Sequence, residues 1–175
     1  MIPSFRYHPD PIATGSIKPS SVECICCGQA SGYIYMASVY CLDSIREQLC
    51  PWCIADGSAS DRYDAMFCDG HSLSKAGLTA EIIAEVTRRT PGYISWQGED
   101  WLSCCDDACE FHGDLPHDEL RSLSGAALDS FLASTGWTAA QLKEFAPNYQ
   151  PGGSPAIYKF ICRQCKQTHY GYDCD

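Results

Sequence analysis

The sequence predicts an α+β protein with small antiparallel strands, two zinc-ribbon-like cysteine knuckle sites and about three helices. Three observations favour this class. Cys-x-x-Cys pairs recur in a chain of 175 residues with 13 cysteines. Strand-like segments lie next to these pairs, and amphipathic helical patterns fill much of the second half. We expect one domain over residues 1–175, with a first zinc-ribbon-like lobe in 1–70 and a helical part with the second site in 71–175.

Composition and charge limit the possible functions. The content of 45% hydrophobic and 19% charged residues is that of a globular protein. A net charge of −10 argues against nucleic-acid binding, which needs clustered Lys and Arg. It indicates either a solvated acidic surface or a basic partner.

The chain start and the cysteines predict a cytoplasmic, metal-binding protein. The opening MIPSFRYHPDPIATG has no apolar signal region, and no apolar run is long enough to span a membrane. Cytosolic thiols stay reduced, so dense cysteine there indicates metal more often than disulfides.

Local patterns place the strands and the N-terminal arm. Residues 1–22 are rich in Pro, Ser and Gly and predict an extended arm across the core. Residues 33–40, YIYMASVY, alternate as a strand does. A further strand is expected where YKFICRQC, residues 158–165, approaches a cysteine pair.

Three helices are predicted further along the chain. The first is AEIIAEVTRR after an N-cap at Thr79, with Leu78 facing Ile83 as a hydrophobic staple. The second runs from about 116 to 134, with its leucines on one face. The third begins at Thr138, which forms a capping box with Gln141, and stops before Pro147.

The first predicted metal site combines two Cys-x-x-Cys pairs, Cys24 with Cys27 and Cys50 with Cys53. Zinc takes four tetrahedral ligands, and two knuckles supply them with little strain. Cys26 lies inside the first knuckle and is an alternative ligand, but its spacing from Cys24 is unusual. The flexible Gly28 directly after Cys27 favours the Cys24–Cys27 pair.

LCPWC at residues 49–53 also has a redox interpretation. A thioredoxin-like pair should open a helix inside a βαβ pattern. Here IADGSAS follows, with little helical tendency, and a redox pair leaves Cys24 and Cys27 unexplained. We therefore interpret Cys50 and Cys53 as half of a metal site and not as a redox pair.

The second predicted site pairs Cys162-x-x-Cys165 with Cys105 and Cys109, whose i, i+4 spacing would point both sulfurs one way on a helix. Cys104 or His112 could substitute for a member of this set. The alternative without a metal is that these cysteines are buried apolar thiols. We expect two structural zinc ions in all. Complete cysteine tetrads leave no open position for a catalytic water, so we expect no enzyme.

One motif of the chain resembles that of an enzyme class. His117-x-Glu119 followed by Cys162-x-x-Cys165 loosely echoes zinc deaminases. Ile161 stands where those enzymes place Pro, and the pattern leaves Cys105 and Cys109 without a use. A zinc hydrolase or deaminase is therefore only a remote alternative. We expect Trp96 and Trp101 to pack in the core beside the second site.

The chain resembles the CbrC family, a colicin-tolerance protein family, over nearly its whole length. The strings that carry the resemblance are PSFRYHPDP (3–11), CCGQASGYIY (26–35), LCPWCIADGSAS (49–60), RTPGYISWQGEDWLSCC (89–105) and YKFICRQC (158–165). The family's paired cysteines fall on the same eight positions: Cys24, Cys27, Cys50, Cys53, Cys105, Cys109, Cys162 and Cys165. The remaining Cys26, Cys41, Cys68, Cys104 and Cys174 have no assigned role.

This resemblance implies a non-enzymatic immunity protein that neutralises an antibacterial toxin in interbacterial competition. The toxin would be a basic protein, most simply a DNase, because nucleases grip phosphates and an acidic inhibitor is attracted to them. The alternative is a zinc-binding adaptor or stress-tolerance protein without toxin contact. Candidate contact residues form two acidic clusters: Asp56, Asp61, Asp64 and Asp69, and then Glu99, Asp100, Asp106, Asp107 and Glu110. For any single carboxylate, a solvated surface position is the commoner explanation.

Overall fold

A computed structural model describes all 175 residues and confirms the α+β class. The helices are α1 (Pro51–Ala55), α2 (Ser58–Tyr63), α3 (His71–Lys75), α4 (Ala80–Arg89), α5 (His117–Ser122), α6 (Gly125–Thr135) and α7 (Ala139–Phe145), followed by a 3₁₀ turn at Ala146–Asn148. The strands are β1 (Ile17–Pro19), β2 (Tyr33–Tyr35), β3 (Ser103–Cys104), β4 (Asp107–Ala108), β5 (Glu110–Asp114), β6 (Ala156–Ile161) and β7 (Thr168–Asp173). All strand pairs are antiparallel.

The first core is built by residues between Phe5 and Phe67. Here the N-terminal arm adds β1 to β2, with Ile17 opposite Tyr35. The strand predicted over 33–40 is shorter, because after Tyr35 the chain leaves the pairing and only Tyr40 forms an isolated bridge, to Met66. This core is poor in regular sheet and contains cysteine sulfurs among its packed side chains.

The three-stranded sheet β5–β6–β7 separates the other two cores. Successive side chains of a strand point to opposite faces. In β6, Tyr158 and Phe160 therefore enter the second core, while Ile157 enters the third. The third core lies under α5, α6 and α7, and α6 packs against β7.

Aromatic rings dominate the second core. Tyr93 stacks on Phe111 with ring centroids 4.3 Å apart, and Trp101 donates its indole N–H to the Cys109 carbonyl at 2.9 Å. The N-terminal arm crosses this core at His8, which is fully buried. Its Nδ1 lies 2.8 Å from the Pro91 carbonyl, which can only accept, so Nε2 accepts from the Thr14 hydroxyl at 2.7 Å. Burial lowers the pKa of His8 to about 4.

A close backbone approach joins the first and second cores at Gly92. A Cβ there would lie 1.9 Å from the Phe67 carbonyl oxygen, so only glycine fits. This contact fixes the loop after α4 against the end of the first core.

The helix predictions are confirmed in part. α4 has its N-cap at Thr79, and α7 carries the capping box of Thr138 and Gln141. The helix predicted over 116–134 is wrong as one element, because Ser124 is extended and Gly125 has a φ of +52°, which divide it into α5 and α6. The three short helices α1, α2 and α3 and the 3₁₀ turn were not predicted from sequence. No helix has the length and apolar character needed to cross a bilayer.

Candidate metal centres

Four cysteines form the first centre: Cys24, Cys27, Cys50 and Cys53. Their sulfurs all lie within 4.8 Å of one another, with Cys24 to Cys53 at 3.8 Å and Cys27 to Cys50 at 3.9 Å. A tetrahedral ion bound by thiolates at about 2.3 Å requires sulfurs about 3.8 Å apart. The group therefore fits a single metal ion and confirms that the four predicted cysteines converge.

Backbone geometry shapes the first knuckle. The Gly28 amide donates to the Cys24 carbonyl at 2.7 Å, and the Cys24 amide donates to Gln29 at 3.0 Å. This turn needs the left-handed φ of +69° at Gly28, which glycine adopts without strain. The Cys50 amide also donates to the Cys24 sulfur at 3.3 Å. Such amide-to-sulfur bonds stabilise a thiolate ligand.

The thiols of the first centre differ in the direction of their pKa shifts. Burial opposes ionisation of Cys24, yet amides of Cys50, Cys27 and Cys26 outweigh it and lower the pKa of that thiol. Burial and neighbouring thiols raise the pKa of Cys50 and Cys53. Four clustered thiols cannot all ionise unaided, whereas a bound cation would remove their repulsion.

One sequence argument about this region is wrong, and the choice of Cys24 with Cys27 over Cys26 is confirmed. Pro51–Ala55 is helical, so the pair Cys50–Cys53 does open a short helix, contrary to expectation. A metal site is favoured over a redox pair because the sulfurs of Cys24 and Cys27 lie next to those of Cys50 and Cys53, and not because a helix is lacking. Cys26 lies outside the group, with its sulfur 3.6 Å from the Ser58 hydroxyl.

The second centre consists of Cys104, Cys105, Cys162 and Cys165. Its sulfurs are also within 4.8 Å of one another, with Cys104 lying 3.6 Å from Cys105 and 3.8 Å from Cys165. The prediction that Cys109 is a ligand is wrong. Cys109 is fully buried in the second core, and Cys104 takes its place.

The error over Cys109 has a conformational cause. The i, i+4 argument assumed a helix, but residues 103–108 form the β3–β4 hairpin. Cys105 and Asp106 occupy the turn with left-handed φ values of +53° and +56°. This reversal turns two consecutive sulfurs toward the same ion, which neither an extended strand nor a helix permits. The sequence Cys-Cys-Asp-Asp carried a turn signal in its aspartates.

The second knuckle repeats the hydrogen bonds of the first. The Cys162 amide donates to Gln167 at 2.9 Å, and the Lys166 amide donates to the Cys162 carbonyl at 3.1 Å. Lys166 has a φ of +62° at the position that Gly28 occupies in the first knuckle. Burial opposes ionisation of Cys162, but amides of Cys165 and Gln164 outweigh it and lower its pKa to about 7.

The predicted acidic contact residues divide into three groups. Asp107 and Glu99 are buried, at 5% and 1% exposure, so the prediction that they present surface charge is wrong. Others are exposed or half-buried but bonded within the chain: Asp56 to Ser58, Asp64 to Arg88, Asp69 to the His71 amide, and Glu110 to His112 and Arg163. Asp61, Asp100 and Asp106 are exposed, and their carboxylates form no hydrogen bond or ion pair within the chain.

Asp107 instead has a structural role beside the second centre. Its carboxylate accepts from the Tyr7 hydroxyl at 2.6 Å, Arg163 at 2.9 Å and Arg6 at 3.3 Å. Although burial opposes ionisation, these donors outweigh it and lower the pKa of Asp107. The ion pairs join the N-terminal arm to the second knuckle.

The residues of the deaminase alternative lie elsewhere. Glu119 pairs with Lys159 at 2.6 Å, and His117 lies 3.4 Å from Asp118. Neither belongs to a cysteine group. Of the two tryptophans, Trp101 packs in the core as predicted, whereas Trp96 is 53% exposed, contrary to prediction.

Fold and sites together define a small α+β protein with two four-cysteine candidate metal centres. The chain belongs to UPF0167, described as an uncharacterised protein family, whose model matches residues 2–174. It is 49% identical over 173 residues to a UPF0167 protein of Pseudomonas aeruginosa, covering 98% of this chain and 97% of that protein. UPF0167 proteins of Mycobacterium bovis and Mycobacterium tuberculosis are each 39% identical over 173 residues, covering 98% of this chain and 92% of theirs.

These matches correct the resemblance stated above. The family is UPF0167, not the CbrC colicin-tolerance family or an immunity-protein family. No solved structure matches the chain.

Proposed function

We propose that this protein is a non-enzymatic binding protein, held in shape by two structural zinc ions, that recognises a basic protein partner. The observation that supports the structural role most directly is the closure of both cysteine tetrads. Four sulfurs at tetrahedral spacing fill the coordination sphere of zinc and leave no position for water or substrate. All-thiolate sites of this kind are typical of folding rather than catalysis.

The choice of a basic partner rests on charge. The chain carries 22 acidic against 12 basic residues. Asp61 lies in α2 beside the first centre, and Asp106 lies in the turn of the second, both exposed and without a partner in the chain. Such carboxylates increase the association rate of a positively charged protein and lose no internal bond on binding.

Neutralisation of a DNase toxin in the cytoplasm remains one form of this proposal, supported by charge alone since the colicin-tolerance resemblance is withdrawn. Nucleases that grip phosphates are basic, so they match the surface in sign. A zinc-binding adaptor that acts on a different basic protein is the other form. Both require partner binding and no chemistry by the zinc.

The metal component is tested by elemental analysis and chelation. We expect two zinc ions per chain, and we expect the ordered fold to be lost when a strong chelator removes them. Purified, fully folded protein with no bound metal would contradict the structural role. Loss of both ions with retention of the fold would contradict it equally.

The partner component is tested by co-purification from the native cell, identification of the retained protein, and binding measurements with that purified protein. We compare the wild type with the double variant Asp61→Asn, Asp106→Asn, and use Asp118→Asn as the control because its side chain is fully exposed and has no assigned role. A basic partner should bind the double variant about tenfold more weakly, and high salt should weaken wild-type binding. The proposal is overturned if no protein is retained, or if the affinity of the retained protein changes neither in the double variant nor at high salt.

A further inference from the structure

A cleft of about 750 Å³ lies beside the second core, and no step of the proposed function uses it. We call it the acidic cleft. Four of its lining residues carry carboxylates: Asp69, Glu99, Asp100 and Asp173. Lys75 and His71 also line it, but no cleft carboxylate forms an ion pair with any residue of the chain. The lining therefore has an excess of negative charge that the protein does not neutralise.

Glu99 is the unusual member of this lining. Its residue is 1% exposed, and its Oε1 atom is buried with no hydrogen-bond partner. Only its other oxygen is satisfied, by the Tyr40 hydroxyl. Buried carboxylates are costly unless they are paired, and a buried unsatisfied oxygen in a native fold calls for an explanation. Burial raises the pKa of Glu99, and the nearby Asp173 carboxylate adds to the rise.

The backbone around Glu99 is held rigidly. Asp173 Oδ2 accepts from the amides of Trp96 at 2.6 Å and Gln97 at 3.0 Å. This clamp fixes the loop that carries Glu99 against β7. A carboxylate that is buried on a fixed loop beside a cleft is preorganised for a cation, because it loses little freedom when the cation binds.

The arrangement suits an organic cation better than a metal ion. The cysteine sulfurs form two groups of four, but no three carboxylates of the cleft bring their oxygens within 4.8 Å of one another. Aromatic side chains supply the remaining wall, and Tyr40 and Tyr172 are 39% and 47% exposed. Tyrosine faces attract ammonium and guanidinium groups, which are larger than a metal ion and carry spread charge.

We propose that the acidic cleft binds an organic cation with a guanidinium or primary ammonium group. The cationic end neutralises the charge of Glu99 and Asp100, and its stem lies against the rings of Tyr40 and Tyr172. The site goes beyond the proposed function, because a free small molecule satisfies it without a protein partner. A lysine or arginine side chain of another protein has the same chemistry and is the second source.

Calorimetric titration with agmatine, which carries both groups, and with a short arginine-rich peptide tests the site and separates the sources. We compare the wild type with Glu99→Gln, which keeps the shape but removes the charge, and use Asp118→Asn as the control outside the cleft. Loss of a charge-assisted contact should weaken binding about ten- to hundredfold in Glu99→Gln and leave Asp118→Asn unchanged. Metal content and thermal unfolding establish that each variant is folded.

Each outcome decides the proposal. Binding of agmatine that requires Glu99 supports a free cation, and binding of the peptide alone that requires Glu99 supports a protein side chain. Failure of both probes to bind the wild type, or equal binding by Glu99→Gln, overturns the site. If Glu99→Gln does not fold, amide shift mapping on the wild type decides instead: shifts centred on Glu99, Asp100 and Tyr172 support the cleft, and shifts elsewhere overturn it. The agmatine comparison is independent of the pull-down, because Glu99→Gln changes neither Asp61 nor Asp106.

Discussion

In the first centre, Cys24, Cys50 and Cys53 are only 1–3% exposed and belong to the first hydrophobic core. In the second, Cys105 and Cys165 are exposed, and the sulfurs join two hairpins at the protein surface. The knuckle hydrogen bonds are the same in both. The surroundings, not the ligand geometry, therefore distinguish the two centres.

This contrast shows what each ion would contribute to the fold. Around the first centre the regular pairing is limited to the short β1–β2 ladder, so bonds from the sulfurs to the proposed ion would replace much of the missing structure. The second centre adjoins the six-pair β6–β7 ladder and the aromatic core, which have their own hydrogen bonds and packing. The first ion should decide whether its region folds, and the second should reinforce a region that already folds.

The largest difference is expected between single ligand replacements. Cys53→Ser should unfold the region of the first core, because structural zinc binding contributes on the order of 10 kcal/mol, which is as much as the whole stability of a typical domain. Cys165→Ser should lose one metal ion but keep the overall fold, with a fall in unfolding free energy of about 3–5 kcal/mol. Metal analysis and circular dichroism measure both. Equal damage from the two replacements would contradict the assigned difference.

Chelation of the wild type is the matched control for these variants. The second centre should release its ion first, about tenfold faster or more, because three of the four ligands of the first centre are buried and become accessible only by local unfolding. A single release phase would show that the centres are equivalent.

A smaller effect is expected at Asp107, which joins the N-terminal arm to the second centre through Arg6 and Arg163. Asp107→Asn should cost about 2–3 kcal/mol, because it weakens charge-assisted bonds to a side chain that is 7% exposed. The neighbouring Asp106→Asn should change stability by no more than about 0.5 kcal/mol, since Asp106 is exposed and unbonded. Urea unfolding of both variants measures the difference. Equal values for the pair would remove Asp107 from the support of this centre.

The smallest expected effect is a pH dependence of the second core through His8. Its pKa is lowered from 6.5 to about 4 by burial, so acid protonates the unfolded chain before the folded one. Protonation of His8 in the unfolded chain therefore has no effect on stability well above pH 6.5. It lowers the free energy of unfolding as the pH falls from there toward 4. Between pH 8 and 5.5 this decrease amounts to about 1.4 kcal/mol, or about 3–6 °C in Tm.

Amide exchange separates this effect from changes in the first core. Phe111 and Phe160 should lose protection in acid before Ile34 and Tyr35 do. Asp10 and His112 are the charged neighbours of His8, so the variant His8→Gln is needed to isolate it. A pH slope in His8→Gln equal to that of the wild type would assign the effect to other groups.

Local sequence signals predicted local structure well. The pairs Cys24–Cys27 and Cys162–Cys165 form knuckles, and the caps at Thr79 and Thr138 begin their helices as expected. These features depend on neighbours within a few residues, whose chemistry the sequence displays directly.

Predictions failed where tertiary geometry chooses among local options. The exchange of Cys109 for Cys104 depends on a turn whose left-handed residues place two adjacent sulfurs together. The burial of Glu99 and Asp107 depends on Tyr40, Arg6 and Arg163, which are distant in sequence. The break at Ser124-Gly125 is different, because an N-cap residue followed by glycine was a visible signal that the amphipathic pattern obscured.

The sequence separation within each centre has a consequence for how the chain matures during synthesis. Cys24 and Cys53 are 29 residues apart, whereas Cys104 and Cys165 are 61 apart. A ribosome releases the chain from its N-terminus, so the first four thiols emerge while the β6–β7 hairpin has not yet been made. A nascent chain would therefore be able to bind the proposed ion of the first centre early, and that of the second centre only when translation is nearly finished. Metal shortage during growth would then leave two different products, a polypeptide without its first half folded or a nearly complete protein lacking one surface ion.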